Sequence, residues 1–100
     1  MARYDSEGIE IPPTPWYVTT TDAFMSGWGM ARGKTNKLIF PCDSLDEAQT
    51  VERNAKNRTD QKYVNITGSW PRYSGSRYYI QVKTKEDYPN WYKEGYFNGT

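Results

Sequence analysis

The sequence predicts an α+β domain: a small, mostly antiparallel four-stranded sheet in the order β-loop-β-α-β-β, with one helix packed on one face. Three observations predict it. Residues 44–57 carry a helix-start signal followed by apolar positions at helical spacing. Residues 62–67 and 77–84 alternate polar and apolar side chains. Residues 16–21 and 37–41 are short runs of β-branched, aromatic and aliphatic residues. The 100 residues suffice for a single modest core. The expected organisation is a flexible N-terminal arm over 1–14 and one domain over 15–97.

Each element has its own grounds. Residues 1–14 hold Gly8, Pro12 and Pro13 and no sustained period, which reads as an extended arm docked at most by Ile9 and Ile11. Trp16-Tyr17-Val18-Thr19-Thr20-Thr21 is the first strand. Asp22 then caps a turn of helix or a bend at 23–25. Lys37-Leu38-Ile39-Phe40-Pro41 is the second strand, and Pro41 belongs at a strand end or edge because it donates no ladder hydrogen bond. Ser44-Leu45-Asp46-Glu47 matches a capping box, and Leu45, Ala48, Val51 and Ala55 form an apolar stripe, so the helix is expected over 45–57. The third strand, 62–67, turns Val64 and Ile66 inward. The fourth, 77–84, turns Ile80, Val82 and Tyr78 inward. These two are expected to pair as a hairpin with a long loop over 68–76. The opposite sheet face then carries Tyr63, Asn65, Tyr79 and Gln81. In the tail, Pro89 starts a turn and Gly95 ends it; its aromatics are too many for a loose end and are expected to pack on the sheet.

Composition narrows function. The net charge of +1, from 13 basic and 12 acidic residues, argues against a general polycation for DNA or membranes. There is one cysteine, Cys42, which reads as a small buried residue, and no histidine, so neither an internal disulfide nor a thiolate–imidazole zinc site is available. The longest apolar run, Leu38-Ile39-Phe40, is too short to span a bilayer. No signal peptide is recognisable, and the chain is expected to be intracellular. Nine Tyr and four Trp stand against three Phe; rings with polar tips suit interfaces and half-buried surfaces.

The densest stretch is Phe24-Met25-Ser26-Gly27-Trp28-Gly29-Met30-Ala31-Arg32-Gly33-Lys34-Thr35-Asn36-Lys37. Gly27, Gly29 and Gly33 let backbone amides approach an anion, and Arg32, Lys34 and Lys37 supply positive charge around Trp28. Gly33-Lys34-Thr35 ends like a phosphate-binding loop. The motif fails because Trp28 stands where its first Gly belongs and a strand follows where a helix should. The plainer reading is a wide connection with Trp28 in the core; a partner- or anion-binding loop stands beside it. A second surface interleaves Tyr63, Trp70, Tyr73, Tyr78 and Tyr79 with Arg72 and Arg77. It suits stacked bases, or simply cross-strand ring pairing. Asp43, Asp46 and Glu47 are explained by helix capping, and Glu86 and Asp87 by a solvated turn, so no carboxylate pair for catalysis is placed. Three Asn-x-Thr triplets, at Asn57, Asn65 and Asn98, read as chance in an intracellular chain.

Three blocks, residues 22–37, 54–66 and 83–97, resemble a family of small uncharacterised proteins of tailed bacteriophages, and the resemblance covers most of 16–97. It implies an accessory protein made in the host bacterial cytoplasm. Small phage proteins of this class often act by binding host defence or host machinery, and no activity carries over to particular residues. The expectation is a non-enzymatic protein without cofactor. Its partner is a host protein or a small anionic, nucleotide-like ligand, with counter-defence as the role. Contacts are expected from Trp28, Arg32, Lys34, Lys37, Gly27, Gly29 and Gly33, together with Tyr63, Arg72 and Tyr79. The alternative is a nucleic-acid binder using the aromatic and Arg face. No membrane partner is expected, and homo-oligomerisation is open.

Overall fold

The structure is a computed structural model that describes residues 3–5, 8–22, 33–58, 61–71, 73 and 76–93. It has the α+β class expected. The elements in chain order are β1 (Arg3–Tyr4), β2 (Glu10–Ile11), β3 (Trp16–Asp22), β4 (Thr35–Cys42), α1 (Leu45–Lys56), β5 (Gln61–Thr67) and β6 (Tyr78–Val82), followed by a 3-10 turn at Pro89–Tyr92. The main sheet runs β5-β3-β4-β6. β3 pairs antiparallel with both β4 and β5, whereas β4 and β6 are parallel. β1 and β2 form a separate antiparallel hairpin within 1–14, Arg3 facing Ile11. Two residues per strand are too few to show a period in sequence.

The expected hairpin between the third and fourth strands does not form. β5 and β6 lie at opposite edges of the sheet, and β6 adds alongside β4 in the register Thr35↔Tyr78 to Ile39↔Val82. This register also reverses the expected faces of β6. Gln81 pairs with Leu38 and Tyr79 with Asn36, so these two sit on the helix side; Tyr78, Ile80 and Val82 share the other face with Thr35, Lys37 and Ile39. Alternation fixes which residues of a strand share a face, but not which face of the sheet that is.

The helix starts where its sequence says. Ser44 Oγ accepts from the Glu47 amide at 3.1 Å, and the Glu47 carboxylate reaches back to the Asp43 amide at 2.9 Å. Ala48, Val51 and Ala55 are buried against the sheet, but Leu45 is 42% exposed, and Asn54 takes a buried place instead. The helix-side core is Val18, Leu38, Phe40, Cys42, Ala48 and Val51, with Trp16, Val64, Ile66, Trp91 and Tyr92 packed around it. Small helix residues leave space that the tail fills, as its aromatic content suggests. Trp91 stacks on Phe40 at a centroid distance of 4.8 Å.

Two polar contacts fix the tail. The Asn54 amide, 1% exposed, donates to Trp91 O at 2.8 Å and Lys93 O at 2.7 Å. The Tyr92 hydroxyl donates to Pro41 O at 2.8 Å, with Lys83 O a second acceptor at 3.2 Å. Pro41 is the last residue but one of β4, near the strand end as expected, and lies past the last β6 pair; the Lys83 amide makes the final contact, to Ile39 O at 2.9 Å. The proline's missing donor therefore falls where the β6 ladder stops. Lys85 adds a bridge to Asp43 at 2.6 Å and Glu47 at 3.0 Å.

Two expected outcomes follow from this packing. Asn54→Ala leaves two carbonyls without their donor and is expected to cost about 1–3 kcal/mol in urea unfolding, whereas Gln49→Ala on the exposed helix face stays within about 0.5 kcal/mol. Burial, reinforced by Glu47, pushes the Cys42 thiol up to about 12. A small disulfide reagent at pH 8 is thus expected to label Cys42 only as the chain unfolds, with a rate that climbs through the urea transition.

Candidate functional site

The sheet face opposite α1 assembles the candidate site. At its centre is Lys37, a strand residue of β4 paired with Thr21 and not part of a loop. Its ammonium donates to Thr21 Oγ1 at 2.7 Å. Three tyrosine rings surround it: Tyr73 at 5.2 Å, Tyr78 at 5.7 Å and Tyr63 at 6.0 Å from Nζ to ring centroid. These are cation–π distances. No carboxylate pairs with this ammonium among the described residues, and burial lowers the pKa of Lys37. Tyr73 and Tyr78 pack on each other at 5.1 Å.

Each ring reaches the cluster for a separate local reason. Tyr78 opens β6 beside Thr35. Tyr73 lies on the connection between β5 and β6. Tyr63 sits where the β3–β5 register shifts between Thr19 and Thr21, and its φ of +55° is the left-handed conformation of a bulge. A tyrosine held there is strained, and it remains 74% exposed.

The site continues along the same face as a groove of about 620 Å³. Tyr73 borders both parts. One wall is the β1–β2 hairpin with Arg3 and Tyr4; the other is Trp70. Asp5 joins the walls: its carboxylate accepts from Trp70 Nε1 at 3.0 Å and from the Ile9 amide at 3.0 Å. Tyr17 forms the floor, edge-on to Trp70 at 5.2 Å, with its hydroxyl donating to Pro12 O at 2.8 Å.

The predicted site residues divide as follows. Lys37 and Tyr63 come together. Tyr79 lies on the opposite face, so the expected Tyr63/Tyr79 surface is not formed. Gly33 is exposed with a φ of +76°, a conformation that favours glycine, and Lys34 is half-buried beside it. Gly27, Trp28, Gly29, Arg32 and Arg72 lie outside the described residues. The groove residues Tyr17, Asp5 and Arg3 were not singled out in sequence. The excess of Tyr and Trp was a signal for Tyr17 alone; Arg3 and Asp5 carried none. No group of three or more His, Cys, Asp or Glu residues able to hold a metal occurs among the described residues. Their helices include none long and apolar enough to cross a membrane.

Comparison of the chain with protein-family models, curated proteins and solved structures returned no match. The reading of the site accordingly rests on its geometry. What that geometry offers is ring surface, hydroxyls and two cations, Arg3 and Lys37, on a pre-assembled face.

The strained backbone at residue 63 has a measurable consequence. Glycine is normally the poorer strand residue, but here it releases a left-handed conformation costing about 1 kcal/mol or more. Tyr63→Gly is therefore expected to unfold at the same or higher urea concentration than Tyr63→Ala. A clearly more stable alanine variant would show that residue 63 is not left-handed.

Proposed function

We propose that this is a non-enzymatic bacteriophage accessory protein that binds a host protein inside the bacterium, in a counter-defence role, through the face carrying Lys37, Tyr63, Tyr73 and Tyr78. The observation that carries the reading is the convergence of three tyrosines, from three chain segments, on one ammonium without a carboxylate partner among the described residues. Tyr, Trp and Arg supply most of the energy at protein interfaces, because each buries a large rigid surface and still satisfies a polar tip. The groove beside the cluster, with Tyr4 and Arg3 on its rim, extends the same chemistry.

Charge favours a protein over a nucleic acid as the partner. With a net charge of +1, the chain offers little of the counterion release that drives polyanion binding. The phage assignment rests on the sequence resemblance over blocks 22–37, 54–66 and 83–97. Lys37 closes the Gly-rich stretch in sequence, so Trp28, Arg32 and Lys34 stay in the proposal as further contacts.

The test is affinity capture from infected cells with the wild-type chain and two variants, Tyr73→Ala and Lys37→Met. A host protein retained by the wild type should be lost or weakened by about tenfold or more in each variant, the usual cost of truncating an interface anchor. Retention by both variants, or oligonucleotide binding that falls steeply with salt, would overturn the assignment in favour of another surface or a nucleic-acid partner.

A further inference from the structure

The two edges of the main sheet are finished differently. β5, at one edge, is blunted: its register with β3 shifts between Thr19 and Thr21, and Tyr63 takes the left-handed φ of +55°. Lys62 stands exposed there, and the Asn65 amide donates to Tyr63 O at 3.1 Å. Bulges, charges and covered backbone groups are the usual devices that turn a further strand away. β6, at the other edge, has none of them. Tyr78-Tyr79-Ile80-Gln81-Val82 holds no charge, no Gly and no Pro, and its pairing with β4 runs unbroken from Thr35↔Tyr78 to Ile39↔Val82.

The ladder fixes which way the β6 backbone points. The Thr35 amide donates to Arg77 O at 3.0 Å, and the Lys83 amide donates to Ile39 O at 2.9 Å. In a parallel pair alternate residues turn both amide and carbonyl to the neighbour, so Tyr79 and Gln81, between these two contacts, face β4. Tyr78, Ile80 and Val82 then turn their amides and carbonyls over the open edge, where no described residue takes them. A cation stands at each end of this row: Arg77 is exposed and Lys83 half-buried, and no acidic residue occurs between 73 and 85. No carboxylate pairs with either cation among the described residues; Lys83 lies 4.9 Å from the Tyr88 ring centroid. The acids that follow, Glu86 and Asp87, lie in the turn past the strand, where Asp87 accepts from the Thr84 hydroxyl at 2.9 Å.

We propose that the open edge of β6 takes an extended segment of a partner protein as a fifth strand, antiparallel to β6, with acidic side chains opposite Arg77 and Lys83. The outward amides and carbonyls of Tyr78, Ile80 and Val82 supply the main-chain bonds, and the two flanking cations set register and select charge. Antiparallel pairing is the more stable per residue. A second copy of this chain fits less well. Pairing two β6 strands antiparallel along their whole length, about Ile80, sets Arg77 against Lys83 at both ends, and like charges directly opposite each other destabilise a strand pair. The added strand also continues the surface already described, because the Tyr78 ring belongs to the tyrosine cluster while its backbone opens the edge. The inference rests on the reading of the chain as a binder of a host protein and names how one segment of that partner is held.

The test titrates the full chain with an end-blocked peptide, Glu-Val-Thr-Val-Thr-Val-Glu, following amide chemical shifts and hydrogen exchange. In the free chain the Ile80 and Val82 amides should exchange faster than those of Tyr79 and Gln81. The peptide should bind saturably below about 1 mM and slow exchange at Tyr78, Ile80 and Val82. The same peptide N-methylated at its valines, or carrying Lys at both ends, should bind at least about tenfold more weakly. Ile80→Pro deletes an amide that β4 does not use, so it should keep the wild-type circular dichroism and lose the peptide. Arg77→Glu combined with Lys83→Glu, which leaves the backbone row intact, should reverse the preference toward the Lys-ended peptide. Absence of saturation, equal binding of the N-methylated peptide, an unreversed charge preference, or a concentration-dependent dimer that Ile80→Pro abolishes would overturn the proposal. Host-protein capture that is lost in Tyr73→Ala, with no peptide bound at β6, would strike the edge alone and leave the tyrosine face standing.

Discussion

The parallel pairing of β6 with β4 is the constraint on which the rest of the structure depends. β5 ends at Thr67 on one edge, and β6 begins at Tyr78 on the other, with the two strands pointing the same way. The ten residues between them must therefore cross three strand spacings, about 14 Å, and also return about 20 Å along the strand direction. The diagonal is about 24 Å, and ten extended residues reach at most about 33–36 Å. A connection with so little slack cannot loop far from the sheet. Its described residues Trp70 and Tyr73 lie on the face opposite α1, where Trp70 meets Tyr17 and Tyr73 meets Tyr78.

The same topology covers the sheet twice. The β4-α1-β5 connection crosses on one side, and the β5–β6 connection crosses on the other. Residues of both parities along the central strands are consequently buried: Val18, Leu38 and Phe40 under the helix, and Tyr17, Thr19 and Ile39 on the other side. An open second face would have left Thr19 and Ile39 exposed. The burial is uneven, because α1 carries Ala48, Val51 and Ala55, which permit close approach but fill little volume. The tail makes up the difference with Trp91 and Tyr92, and Asn54 secures it through two backbone carbonyls. A buried amide with both donors used is worth more as a positioning device than as net stability, since the same carbonyls would otherwise bind water.

Local signals were legible in the sequence, and non-local ones were not. The capping box at Ser44 and Glu47 and the periodic stripe after it located α1 to within a residue at each end. Val64 and Ile66 point to the core as alternation requires. Strand order is different in kind. Nothing local distinguishes a β5–β6 hairpin from a crossover, because both need only two strands and a Gly/Pro-containing connection. That single misplacement carries the misassigned face of Tyr79 and Gln81 with it. The boundary of β4 moved for a similar reason: Thr35 and Asn36 read as the end of a Gly-rich loop, but a strand partner in β6 recruits them into the ladder. The hairpin at Arg3–Ile11 is held by Asp5 and Trp70, which are 65 positions apart, beyond the reach of any window.

Lys37 also constrains what the tyrosine face can accept. Three rings around a vacant centre would form a receptor for a ligand cation. Here the chain's own ammonium occupies that centre, anchored to Thr21 and half-withdrawn from water. Tyr73 and Tyr78, half-buried and packed on each other beside it, are thereby held in place, so under the proposed reading association does not have to order these two rings, and each immobilised side chain spared is worth about 0.5–1.5 kcal/mol. The occupied cage also turns the polarity of the surface around. A partner cation meets repulsion from Lys37, while a carboxylate, a carbonyl or a ring finds a donor framed by aromatic surface. Under the proposed reading the complement to this face is an acidic or aromatic segment, and the bulge at Tyr63 sets its ring on that surface.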